Sequence, residues 1–323
     1  MAIIRTLNGD ISANQLGVTY SHDHIYCIPP YWAERQDDDL LLDDPQASER
    51  ELSDFRQAGG NAIYDATAPD YGRQAAAVAA MAQRQQLHII ATAGFNKGFL
   101  WSSRRPGTAQ TFAEWIERSD VDELVEHVCR EVTEGIEGTA HRAGVVKCGT
   151  GYNAISPLEY KTMEVIVRAQ QRTGAPMHSH TEMGTMGLEQ ARIFKKWGLD
   201  LSRLCFAHMD RNPDPWLHRQ IANTGAFLSF DGISRIKYHP EHIRTQAILA
   251  LCQRGYQKQI LIAGDFARKS MSAHYGKGGL GLKFILSDWR PRFMEEAREA
   301  GFDGEALLHD FFVENPARYL AFA

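Results

Sequence analysis

The chain reads as an α/β protein whose strands and helices alternate and close into a (β/α)₈ TIM barrel. Three observations lead there: eight short runs of β type, helical periodicity between them, and a length of 323 residues, which suits eight such units. Strands that alternate with helices pair in parallel and need cover on their outer face. A doubly wound open sheet would also satisfy that, and the count of eight favours closure.

Taken in order, the β-type runs span 18–24, 61–66, 88–95, 144–149, 176–181, 204–209, 226–231 and 259–265. Each is rich in β-branched, aromatic or small apolar residues and short enough for a barrel strand. Between them, 120–135, 158–173 and 239–254 carry apolar residues at helical spacing. No Pro/Ser-rich linker or shift in charge interrupts the series, so one domain over 1–323 is expected. The glycines of 275–281, Gly276, Gly278, Gly279 and Gly281, predict a mobile loop after the eighth strand, with a phosphate cradle as the weaker alternative.

Composition excludes several functions. Hydrophobic residues make up 44% and charged ones 23%, and the net charge of -5 leaves no diffuse basic surface for a nucleic-acid backbone. Cys27, Cys129, Cys148, Cys205 and Cys252 are scattered, with no C-x-x-C pair, and read as reduced thiols of a cytoplasmic protein. The first sixteen residues lack a secretory apolar core, and no later run is long enough to cross a membrane. A homo-oligomer is compatible with all of this.

Barrel enzymes build their sites at the C-terminal ends of strands, and several of the 13 histidines stand out there. His22 and His24 lie two apart on the first strand, so both imidazoles face one side and can grip one cation. A pair of hydrogen-bonded core histidines has the same spacing. The fifth strand repeats it with His178 and His180, the sixth ends near His208, and the eighth ends in Asp265, a carboxylate that burial would penalise without a cation or donor beside it. Lys147 ends the apolar fourth strand and would bring an ammonium into a site meant for cations. Reaction with carbon dioxide to an anionic carbamate removes the conflict; a head group that reaches solvent past the strand end also would.

The order H-x-H, strand-end Lys, His, His, Asp resembles the phosphotriesterase family of the amidohydrolase superfamily, and the likeness runs along essentially the whole chain. The segment 181–187 and the ending Glu314-Asn315-Pro316 add to it. The resemblance implies two divalent ions, zinc or else manganese, cobalt or iron. It places the more buried ion on His22, His24 and Asp265, the more exposed one on His180 and His208, and carboxylated Lys147 between them. His178 matches a position that is not a ligand. Several relatives carry Glu at the bridging position, and the Lys here favours the carbamate. The implied chemistry is attack by a metal-bridging hydroxide on a lactone carbonyl, with Asp265 moving the proton. Some family members hydrolyse sugar lactones bearing a phosphate, so the resemblance implies a lactonase of sugar lactones, with or without a phosphate, and phosphotriesters as promiscuous substrates.

The loops must then choose the small-molecule substrate. Lys237, after the seventh strand, and Arg268, after the eighth, are candidate phosphate holders, or else solvated loop charges. Lactonases of this family often carry Tyr where Asn96 falls here; Asn96 can contact the carbonyl through its amide. The run 264–270 ends like a nucleotide P-loop, but Arg268 stands where that motif needs glycine, so nucleotide binding is excluded. An amide or ester hydrolase on the same metals, or a non-catalytic binding barrel, are the alternatives. The second would be expected to have lost a ligand, and every matched position is filled.

Overall fold

The computed structural model describes residues 2–323. The chain enters through an antiparallel hairpin, β1 (Ile3–Thr6) and β2 (Gly9–Ser12), turned at Leu7-Asn8 with Gly9 after the turn at φ 123°. The glycine that follows the turn is a hairpin signal that the sequence reading passed over. Eight strands follow: β3 (Thr19–Asp23), β4 (Ala62–Asp65), β5 (His88–Gly94), β6 (Val145–Thr150), β7 (Met177–Thr181), β8 (Leu204–Phe206), β9 (Phe227–Phe230) and β10 (Ile260–Ile262). Each pairs in parallel with its sequence neighbour, as β-α alternation requires. The ring closes between its first and last members, where Asp265 N donates to His22 O at 3.1 Å and Phe266 N to Asp23 Oδ1 at 2.9 Å. The protein is a (β/α)₈ barrel.

Two strands stop earlier than the sequence suggests. After β8 and β10 the chain reaches His208 at φ 61° and Asp265 at φ 45°, left-handed conformations that cannot continue a ladder. The three helical expectations appear as Val121–Thr133, Pro157–Thr173 and Glu241–Cys252. The second starts in a capping box, with Ser156 N donating to Glu159 Oε2 at 2.8 Å and Glu159 N to Ser156 Oγ at 3.3 Å, and ends at Gly174 in the left-handed conformation. Among the described residues no helix is long and apolar enough to cross a membrane.

Two apolar clusters result. The larger lies between barrel and helices and includes Tyr20 against Phe55, ring centroids 4.5 Å apart. The smaller gathers Tyr64, Ile90, Val145, Cys205, Phe227 and Leu261 from the strands, with Tyr319 and Leu320 of the last helix, Asn315–Leu320, plugging it. Segment 275–281 forms no regular element, and Glu51 pins both of its flanks by accepting from His274 N and Leu282 N.

Candidate metal centre

A cavity of about 250 Å³ opens at the C-terminal ends of the strands. Its wall brings together His22, His24, Asn96, Lys147, His180, His208, Asp265 and Arg268. Lys237 stands apart: it is exposed, its Nζ 4.9 Å from the Tyr238 ring, while buried Arg235, two residues earlier, lines the wall. Close approach has its own requirement at Gly149 in β6, where a Cβ would run into the Asn96 carbonyl oxygen and His180 Cβ.

Hydrogen-bond partners assign the imidazole protons. The Thr67 hydroxyl donates to Asp65, so towards His24 Nδ1, 2.7 Å away, it can only accept. His24 therefore carries its proton on Nδ1, and bare Nε2 faces Asp265 Oδ1 at 3.4 Å. On the other side Tyr319 Oη donates to Met177 O at 3.2 Å and so accepts from His178 Nδ1 at 3.1 Å. His178 Nε2 must then accept from His22 Nδ1 at 3.0 Å, a proton that Asp231 Oδ2 shares at 3.2 Å. His22 Nε2 is left bare, 3.7 Å from Asp265 Oδ1. Burial works against the Asp265 charge, but the Arg235 guanidinium beside it holds the carboxyl well below the usual carboxylate range. Two lone pairs and a carboxylate oxygen thus converge without a proton among them.

A second such position lies alongside. His208 Nδ1 donates to Asp231 Oδ1 at 2.7 Å and His180 Nε2 to Glu182 Oε2 at 3.0 Å, which leaves His208 Nε2 and His180 Nδ1 bare and 3.0 Å apart. Burial, helped by Lys97, brings His180 down to about 3. Burial, helped by Arg211, holds His208 well below its ordinary value, so no proton joins the two rings. Facing lone pairs repel unless a cation lies between them. The donor set therefore fits two cations, and its mixture of imidazole and carboxylate suits first-row divalent metals.

Lys147, across the sheet from Gly94 and His178, is 1% exposed and its Nζ donates to Ala66 O at 2.7 Å. Burial brings its ammonium down to about 8 against the opposing pull of Asp70 and Asp265, so far more of it than for an ordinary lysine is the neutral amine that attacks carbon dioxide. Asn96 N donates to both Asp70 oxygens, at 3.0 and 2.8 Å, and Asn96 Oδ1 is buried without a partner among the described residues.

Several residues here escaped the sequence reading. Asp231 closes the seventh strand just as Asp265 closes the eighth, so the strand-end argument covered it equally. Glu182 follows His180 by two positions and pairs with Lys97, and burial of its carboxyl is outweighed by His180 and Lys97, which keep it ionised. Arg211 and Arg235 bind Asp265 Oδ2 at 2.6 and 2.7 Å. With Arg268 and Lys97 they put four cationic groups on the wall facing the candidate ligands, Lys97 paired with Glu182 and Arg268 with Asp39. Only the path of the loops over the barrel mouth brings these four there.

A family model described as the phosphotriesterase family matches residues 2–320. A lactonase from Listeria monocytogenes has a solved structure 52% identical in sequence, with TM-score 0.98 and full coverage of both chains. The phospho-furanose lactonase of Mycoplasmopsis synoviae is 31% identical over 98% of this chain and 91% of its own. The structure of the phosphotriesterase homology protein of Escherichia coli, complexed with phosphate in its active site, is 26% identical with TM-score 0.85, covering 95% of this chain and 99% of that one.

Proposed function

The chain belongs to the phosphotriesterase family, and on that footing we propose that it is a binuclear metal-dependent lactonase whose substrate is a sugar lactone bearing a phosphate. That it is an enzyme of hydrolase type follows from the family. The observation that carries the finer reading is the pair of adjacent positions where neutral imidazole lone pairs converge with no proton between them. His22, His24 and Asp265 would hold one ion, His180 and His208 the other, and the carbamate of Lys147 would reach both. Bound there, two divalent ions, zinc or else manganese, cobalt or iron, supply an activated water and a polarised carbonyl.

The remaining work falls to side chains. Asp265 takes the proton of the attacking water and returns it to the leaving alkoxide, while Arg211 and Arg235 keep its carboxylate ionised between turnovers. Asn96 has an unpartnered oxygen at the wall and an amide that can donate, so it orients the lactone carbonyl. Arg268, at the wall, meets the phosphate with the bidentate geometry guanidinium offers, and Lys237 adds charge from the loop outside, while Arg235 spends its Nε and Nη2 on Gly264 O and Asp265. The lactonase names of two relatives and the phosphate held by a third support the same assignment.

The test is a screen of zinc-loaded protein against sugar lactones with and without a 5-phosphate, beside simple esters, N-acyl amides and a phosphotriester. Turnover that prefers the phosphorylated lactones by tenfold or more is expected, with the triester as a slow side substrate. Faster turnover of amides or esters would replace the lactonase reading, and binding without turnover of any class would overturn the enzymatic one.

A further inference from the structure

We infer that Tyr319 and His178 are positioning residues for the ion at His22, because together they hold His22 in the tautomer that presents Nε2 to the cavity. The inference rests on the metal-centre reading above. Neither residue lines the cavity, so neither can touch a substrate. Both are fully buried, and Tyr319 comes from the helix that plugs the barrel, 141 residues beyond His178.

The proton order along this line has one consistent solution. Tyr319 Oη has a single hydrogen, and Met177 O, which can only accept, lies 3.2 Å away. His178 Nδ1 must therefore give its proton to Tyr319, and His178 Nε2 must accept the one on His22 Nδ1. In the reverse order His22 Nδ1 would be bare and would face the Asp231 carboxylate at 3.2 Å, while a proton on Nε2 would stand where a ligand is needed. Asp231 and Tyr319 thus act on His22 from opposite sides in the same sense. The Tyr64 ring packs edge-on against His178 at 5.0 Å and His22 at 6.4 Å, so the two imidazoles, themselves at 74° to each other, share a wall.

Tyr319→Phe keeps the ring in the plug and removes only the hydroxyl, so His178 loses the acceptor that fixes its proton. Apo-protein of the wild type, Tyr319→Phe, His178→Gln and the double variant is titrated with zinc against a chromophoric chelator, and each apo-protein is melted. In Tyr319→Phe one of the two zinc equivalents is expected to weaken by about tenfold to a hundredfold, the usual range when a partner behind a ligand is lost. The other equivalent and the apo melting temperature should stay as in the wild type. In the His178→Gln background, where glutamine can accept from His22 without help from Tyr319, Tyr319→Phe should add nothing. Unchanged zinc affinity in Tyr319→Phe, equal weakening of both equivalents with a lower melting temperature, or additive losses in the double variant would each overturn the inference while leaving the metal centre standing. Wild-type protein that binds no zinc would remove the metal-centre reading, and the inference with it.

Discussion

Reloading of apo-protein should depend on carbon dioxide and on pH in a way that Lys147 sets. A carbamate forms from the neutral amine, and burial brings Lys147 down to about 8. At pH 7 roughly one amine in eleven is then neutral and at pH 8 half are, against about one in three thousand at pH 7 for a lysine at its ordinary value. The sign is that of a lowered lysine: the reactive form is present well below the usual range and saturates just above the shifted value. With dissolved carbon dioxide held constant, the rate of zinc uptake by chelator-stripped protein should rise about fivefold from pH 7 to pH 8 and less than twofold more above that. Zinc uptake can be followed by competition with a chromophoric chelator in gas-equilibrated buffer. A rate that keeps climbing about tenfold per unit through pH 9 would mean an ordinary lysine, and a rate indifferent to carbon dioxide would remove the carbamate.

Lys147→Ala should lose both ions by elemental analysis and all turnover, with partial rescue by a short carboxylic acid that replaces the bridge. Arg268→Ala should lower kcat/KM for phosphorylated lactones by about ten- to a hundredfold, from about 1.5 to 3 kcal/mol per charge-assisted hydrogen bond, and much less for unphosphorylated ones, whereas Arg235→Ala, which strips a partner from Asp265, should lower it for both alike. Lys237→Ala should do less than Arg268→Ala because its side chain stays outside the cavity wall. Asp265→Asn should damage every substrate alike, as steady-state kinetics across the screen would show. Phe55→Ala, which empties a fully buried site beside Tyr20, should destabilise the fold by about 3 to 5 kcal/mol in urea titration without changing zinc stoichiometry.

The barrel and the histidines were legible in the sequence for a shared reason: strand ends are marked by where an apolar run stops, and polar residues at that boundary face the mouth. His22, His24, Lys147 and His180 all stand at such boundaries. His208 and Asp265 lie just past them because the backbone turns left-handed there, which shortened β8 and β10 without moving the side chains away from the site. Loop residues carry no comparable period. Lys237 and Arg235 differ by two positions, and only the folded loop decides that Arg235 turns inward. Tyr319 was beyond reach altogether, since its role comes from a helix packing into the far end of the barrel. Asp231 could have been found by applying to the seventh strand the reasoning used for the eighth.

The seam between β3 and β10 has a consequence for how the protein comes into being. His22 and Asp265, joined there by a backbone hydrogen bond, lie near opposite ends of the chain, so the half-site formed by His22 and His24 leaves a ribosome long before its third member. An ion shared by these three residues would cross-link the first and last strands of the ring, and a cross-link over so long a loop removes much of the freedom of the unfolded chain. Nascent chains truncated before β10 have no such clasp. Capture of the ion would then wait for β10 and the turn after it, and a cell short of the metal would accumulate rings with every strand made but loosest along one line, the line where the site is.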